Sequence, residues 1–174
     1  MIGAAFGCGM EELMEFNKQV SNPMLIGAME LMKAEKSAEH NNMLLTEIMK
    51  AQFLSPATVE PAPKFNEEGK AELAPGTQIH FPMLTAPDGK NFFAAFTDQM
   101  EADKWKKEDD FQYVALNFDD YVGLLFRPDA EGKENPAAGF VVNPFGGNVV
   151  ITKDTMKALL LAREQARQNA KKKQ

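Results

Sequence analysis

Apolar residues recur at helical spacing near the start of the chain. One stripe follows intervals of three or four residues: Leu25, Ala28, Met29 and Met32. Asn22 is predicted to cap this helix by accepting hydrogen bonds from its first amides, and Pro23 suits the first helical position because no helical donor is lost there. Ser37 is predicted to cap a second helix, whose stripe is Leu44, Leu45, Ile48 and Met49. The pattern predicts two antiparallel helices joined by a short polar connection.

The middle of the chain carries two apolar runs with a turn between them. Residues 79–84 and 92–96 are the runs, and Ala-Pro-Asp-Gly lies between them. The Asp88 side chain can accept a hydrogen bond from a backbone N–H that follows it, and Gly89 can adopt a positive φ. The pattern therefore predicts a hairpin. Thr97 follows and is predicted to cap a helix that begins at Asp98.

Two further segments predict strands, separated by a long polar stretch. Pro56 confines the segment at residues 52–59 to a sheet edge or to an irregular strand, because proline donates no ladder hydrogen bond. Residues 60–78 hold prolines, glycines and glutamates with few apolar residues, which is typical of a surface loop. Residues 111–116 are apolar on both faces and predict a central strand.

The last third of the chain predicts a helix, a hairpin and a final helix. Asn117 is placed to cap the first of these helices. Residues 139–143 and 148–151 predict strands, joined through paired glycines that suit a tight turn. Thr152 is expected to cap the last helix, which becomes polar on every side beyond Ala162 and is expected to fray.

The order of these elements predicts a single α+β domain. We expect an N-terminal helix pair followed by a mixed sheet of five or six strands with interleaved helices. Residues 1–20 form an extension, residues 21–165 the domain and residues 166–174 a polar basic tail.

Composition limits the classes of partner. The net charge of −6 opposes general attraction to nucleic acid or to an anionic membrane, so neither is expected as a partner. Cys8 is the single cysteine, which excludes an intramolecular disulfide. The first ten residues lack a basic start, and no apolar run approaches the length of a membrane span. These features predict a cytoplasmic protein.

Several short motifs together resemble a known family. They are Asn-Pro-Met-Leu-Ile from residue 22, His-Phe-Pro-Met-Leu-Thr from residue 80, Asp-Gly at 88, Phe-Thr-Asp at 96, Tyr-Val-Ala-Leu at 113 and Gly-Phe-Val-Val-Asn-Pro at 139. Their order and spacing are similar to the SseB protein N-terminal domain family, the bacterial enhanced serine sensitivity proteins. The resemblance covers residues 21–161. It implies a fold and a bacterial cytoplasmic setting, and it carries over no catalytic residue.

Apolar residues outside the helical stripes suggest a function. Met24, Ile26 and Met43 lie off the stripes, and a helix that is apolar over more than one face is usually covered on both. We therefore expect a non-catalytic protein-interaction or regulatory domain. These residues would form its surface for a second copy or for another protein.

A second hypothesis places a small enzyme or a ligand-binding domain on the same fold. His80 alternates with its apolar neighbours along a strand, and it would meet Asn143 in a pocket at the strand ends. The plainer interpretation of His80 is an exposed or hydrogen-bonded strand histidine. Two histidines without clustered cysteines make no zinc signature, so no metal or organic cofactor is expected.

Overall fold

A computed structural model describes residues 15–68, 70–105 and 111–174. Cys8 and most of the predicted N-terminal extension lie outside these residues, as does the end of the helix predicted from Asp98. The described elements are β1 (Glu15–Phe16), α1 (Pro23–Ala34), α2 (Ala38–Lys50), β2 (Gln52–Glu60), β3 (Lys64–Phe65), β4 (Ala71–Glu72), β5 (Gln78–His80), β6 (Met83–Thr85), β7 (Asn91–Ala95), α3 (Gln99–Ala102), β8 (Gln112–Asn117), α4 (Phe118–Phe126), β9 (Gly139–Val142), β10 (Val149–Thr152) and α5 (Lys153–Lys172).

The predicted α+β class, with its leading helix pair, is confirmed. Eight of the ten described strands form two four-stranded sheets, in the orders β1-β8-β2-β5 and β10-β9-β7-β6, and β3 pairs with β4 separately. One mixed sheet of five or six strands was expected. The second sheet is the mixed one, because β7 and β9 are parallel. Leu54 and Phe96 exchange backbone hydrogen bonds of 2.9 and 2.8 Å and join the two sheets at one point.

Of the two alternatives predicted for the strand that contains Pro56, the sheet edge is wrong. β2 lies inside the first sheet, between β8 and β5. Pro56 is opposite Tyr113 of β8, and its nitrogen faces away from β8. On that side β2 has a gap in its pairing, between the bridge at Leu54 and the β5 pairing that begins at Thr58. No strand in the described part of the chain pairs with β2 on that side at Pro56, so the missing donor removes no ladder hydrogen bond there.

The core lies between the helices and the two sheets. Tyr121 of α4 stacks on Phe140 of β9 with ring centroids 4.5 Å apart, and its edge meets Phe53 of β2 at 6.2 Å. The Tyr121 hydroxyl donates to Ala94 O at 3.0 Å, so burial leaves no unpaired hydroxyl. Burial raises the pKa of Tyr121 far above its ordinary value.

Three predicted helix caps are confirmed. The Ser37 side chain accepts from His40 N, and the Thr152 side chain accepts from Thr155 N. Asn117 and Asp120 form a reciprocal capping box at the start of α4. These local signals were readable because each cap contacts a residue only three positions away.

Two other predicted caps are wrong. The Asn22 side chain makes no capping hydrogen bond, although α1 begins at Pro23 as expected. Asp98 rather than Thr97 caps α3, because its carboxylate accepts from Glu101 N at 3.0 Å. Both displaced side chains make contacts across the fold instead.

The ends of two other segments also differ from expectation. The predicted loop at residues 60–78 contains the small β3–β4 hairpin. α5 does not fray at Ala162 but continues to Lys172. Its Arg163 forms a two-pronged ion pair with Asp119, with N–O distances of 2.8 and 3.2 Å. That pair fixes the exposed helix beside the start of α4, and it raises the pKa of Arg163.

Candidate functional site

A cavity of about 600 Å³ opens between α1 and the turn that joins β9 to β10. Its apolar wall consists of Ile26, Met29, Met32, Leu44 and Val149. Ile26 is 38% exposed although it points into this cavity. The cavity, bounded by α1, the α3 N-terminus and residues 143–149, is called the α1 groove below. An apolar wall of this size, with one exposed side chain, is suited to binding another apolar group.

The rim of the α1 groove is charged, and the charge is divided along α1. Asp98 and Glu101 lie towards the start of the helix, because the Asn22 amide at that start donates to Thr97 O at 2.8 Å. Lys33 is in the last turn of α1, and Lys36 follows the end of the helix. Acidic side chains therefore line the groove towards the start of α1 and basic ones towards its end, with Glu30 on the rim between them.

The two lysines and the two carboxylates differ in how they are paired. Lys33 and Lys36 are exposed, and neither forms an ion pair with any residue in the described ranges. Glu101 Oε1 accepts from Lys104 Nζ at 2.6 Å, whereas its Oε2 is enclosed without a hydrogen-bond partner among the described atoms. The positive end is thus the more available for a charged partner.

Asn143 holds the floor of the α1 groove together. Its Oδ1 accepts from Thr97 N at 3.0 Å, and its Nδ2 donates to Thr97 Oγ1 at 2.9 Å. Its backbone φ is +49°, and its carbonyl accepts from the amides of Gly146 and Asn148. Asparagine tolerates this left-handed conformation better than most residues. The side-chain oxygen and nitrogen of Asn143 are both already hydrogen-bonded to Thr97. The role of Asn143 is therefore to position the turn against the segment before α3.

Gly146 and Gly147 pack against the ends of flexible side chains, which can shift to accommodate a β-carbon. A β-carbon at Gly146 would lie 2.6 Å from Glu101 Oε2, and one at Gly147 would overlap the Met29 methyl group. The turn therefore lies directly against α3 on one side and α1 on the other. Its backbone forms part of the cavity wall.

The structure does not bring His80 to Asn143. His80 is on β5, opposite Thr58 of β2, and is not among the described residues that line the α1 groove. Asn143 lines the α1 groove without His80. Within the described ranges, no three histidine, cysteine or acidic side chains cluster as a metal site would require.

Met24, Ile26 and Met43 do not share one surface. Met24 and Ile26 are two residues apart on α1, which separates them by about 160° around the helix. Met24 is 70% exposed and shares its flank with Leu31. Met43 is 41% exposed, and its neighbours along α2 are polar: Glu39, His40, Thr46 and Glu47. Of the three predicted residues, Ile26 is the one at the α1 groove.

The groove also contains residues that the sequence analysis did not select. Lys33, Lys36, Asp98 and Glu101 were missed. Lys33 has a sequence signal, because it follows Ile26 and Glu30 at intervals of four and three residues and so shares one flank of α1 with them. The acidic end has no such signal, because it comes from a distant part of the chain.

A comparison with known families identifies the family of this chain. The model of the SseB protein N-terminal domain matches residues 25–158, most of the chain and nearly all of the elements described above. The chain belongs to the SseB N-terminal domain family. The matched segment of this SseB domain includes Ile26, both rim lysines and Asn143.

Other comparisons add no further relatives. No curated protein and no solved structure matches this SseB domain. Among the helices in the described part of the chain, none combines the length and the apolar character that crossing a bilayer requires.

Proposed function

We propose that this SseB domain is a non-catalytic protein-interaction or regulatory module of the bacterial cytoplasm, and that it binds protein in the α1 groove. The observation that carries the proposal is the exposed Ile26 in an apolar-walled groove, whose rim also carries Lys33 and Lys36 without an ion-pair partner among the described residues. Protein interfaces commonly combine an apolar centre with a polar rim. The adaptable methionines at the groove suit the packing of an incoming side chain.

The alternative function is a small enzyme or a ligand-binding domain, and its candidate pocket is now the α1 groove rather than a site shared by His80 and Asn143. A cavity of about 600 Å³ falls within the range of small-molecule sites, and it contains Asn143. However, the Asn143 amide is already paired with Thr97, and His80 does not line the cavity among the described residues. The remaining form of this hypothesis is non-covalent binding of a small amphipathic molecule in the α1 groove.

Site-specific photo-cross-linking tests the proposed function. A photoreactive amino acid replaces Ile26 in one variant and Met43 in the other, and each variant is irradiated in native bacterial extract. The two positions are almost equally exposed, at 38% and 41%, but Ile26 alone of the pair lines the groove. The expected result is a discrete protein adduct from position 26 and none from position 43. Adducts of equal yield at both positions, or none at either, would contradict the proposal.

A further inference from the structure

We propose that the partner in the α1 groove is an acidic segment of another protein, in which a large apolar side chain lies next to carboxylates. The inference rests on the proposed function and adds the chemistry of the partner. The apolar side chain enters the cavity beside Ile26, and the carboxylates pair with Lys33 and Lys36. The charged groups on the rim differ in their availability, and this difference favours an acidic partner over a basic one.

The carboxylates on the rim beside α3 are already engaged within the chain. Asp98 Oδ1 accepts from Glu101 N at 3.0 Å, and Asp98 Oδ2 accepts from Thr97 Oγ1 at 2.9 Å. Glu101 Oε1 accepts from Lys104 Nζ at 2.6 Å, and Glu101 Oε2 is enclosed. A basic partner must displace these contacts before it can pair with either carboxylate, so this end of the groove gives it little affinity.

The two rim lysines remain available to a partner. Lys33 and Lys36 are exposed, and neither has an ion-pair partner within the described ranges. Lys33 follows Ile26 by about two helical turns, which separates the two by about 10 Å along α1. About two turns of a helix or three residues of an extended segment span that distance, so one short segment can contact both. Glu30 lies between them, is exposed, and opposes an acidic partner.

The cavity requires a partner that projects into it. Its volume of about 600 Å³ falls in the range of sites that enclose a small ligand, so a large apolar side chain fits inside. Met29 and Met32 in its wall are unbranched and flexible, and they can pack around such a side chain. An apolar anchor with charge pairs at the rim is a common arrangement in protein interfaces. The contact is small, so we expect a dissociation constant on the order of 10–100 μM.

Selection from a library of random peptides tests this chemistry. Phage-displayed peptides of about 12 residues are depleted on the Ile26→Glu variant, selected on the full parent chain, and then synthesised for affinity measurements. We expect the selected peptides to combine a large apolar residue with a net negative charge. The net charge of the chain is −6, so general attraction would select basic peptides instead. Binding should weaken about three- to ten-fold between about 50 mM and about 500 mM sodium chloride, and the control Met43→Glu should bind within about two-fold of the parent.

Charge variants of the protein test the pairing itself. Lys33→Glu/Lys36→Glu should weaken the binding of a selected acidic peptide at least about five-fold, and should favour a copy of that peptide in which lysines replace the acidic residues. Glu30→Gln should strengthen binding by about two-fold, because it removes the opposing charge. Lys171→Glu/Lys173→Glu makes the same change in net charge at exposed positions outside the groove, and its binding should stay within about two-fold of the parent. Circular dichroism checks that each variant folds.

The outcomes separate this inference from the proposed function. Neutral or basic selected peptides, or acidic peptides that bind the Lys33→Glu/Lys36→Glu variant as well as the parent, overturn the acidic partner. If their binding still depends on Ile26, the proposed function stands. A library that yields no peptide dependent on Ile26 also overturns the inference, and cross-linking through position 26 then decides the proposed function separately. Sedimentation of the purified chain at about 1 mM covers another occupant: a dimer that Ile26→Glu abolishes would place a second copy in the groove and overturn the inference.

Discussion

Replacing Asn143 by alanine should remove the link between the β9–β10 turn and the segment before α3. The Asn143 amide makes two hydrogen bonds to Thr97, one to its backbone N–H and one to its hydroxyl. Both residues are buried, at 4% and 0% exposure, so water cannot readily replace the lost partner. The same residue also has a backbone φ of +49°. The substitution therefore acts on hydrogen bonding and on backbone conformation together.

The expected loss follows from these two effects. A buried N–H without a partner costs about 1–3 kcal/mol. Alanine in the left-handed conformation costs about 1–2 kcal/mol more than a residue that tolerates it. Together they should lower the free energy of unfolding by about 2–5 kcal/mol. For a chain of this size that corresponds to a fall in Tm of about 5–15 °C.

Urea denaturation followed by circular dichroism measures this change, and Asn143→Gly is the matched control. Glycine also loses both side-chain hydrogen bonds, but it adopts the positive φ without strain. Asn143→Gly should therefore be less destabilised than Asn143→Ala by about 1 kcal/mol. If Asn143→Ala unfolds within about 0.5 kcal/mol of the parent, the amide does not hold the groove as described.

Three further predictions concern stability. Unfolded tyrosine loses its proton near pH 10 while buried Tyr121 keeps it, so the free energy of unfolding should fall by about 1.4 kcal/mol per pH unit above that pH. Tyr121→Phe should show a shallower fall in urea titrations between pH 8 and pH 11.5, and an equal slope would contradict the assignment. Asn22→Ala removes two hydrogen bonds of 2.7 and 2.8 Å to backbone carbonyls and should cost about 1–2 kcal/mol in the same assay; an unchanged midpoint would show that they contribute nothing. Gly139→Ala should cost at least about 3 kcal/mol, since its β-carbon would overlap Ile151 O, and native-like thermal unfolding of that variant would disprove the tight β9–β10 approach.

The parts of the fold that the sequence predicts are those set by near neighbours. Ser37, Asn117 and Thr152 were identified as caps because each bonds within three residues. Asn22 and Thr97 also carry capping side chains, but contacts with residues 30 to 75 positions away take those side chains elsewhere. A rule based on local spacing has no access to such competition.

The candidate site was predictable in part for the same reason. The apolar flank containing Ile26 follows from helical periodicity within α1. The groove itself does not, because its other wall comes from residues 97–101 and 143–149. The gap beside Pro56 is likewise a property of two sheets meeting at one bridge, which no pattern within a single strand reveals.

Methyl NMR of the methionine side chains tests the central claim, that the α1 groove is the protein-binding surface. Met29 and Met32 line the groove, whereas Met43 lies outside it and serves as the internal control. Spectra of the labelled chain are compared at about 20 μM, at about 1 mM, and at low concentration in native extract. We expect the Met29 and Met32 methyl signals to shift or broaden when a partner is present while the Met43 signal stays fixed. Met29 and Met32 signals that are identical under all three conditions would contradict it.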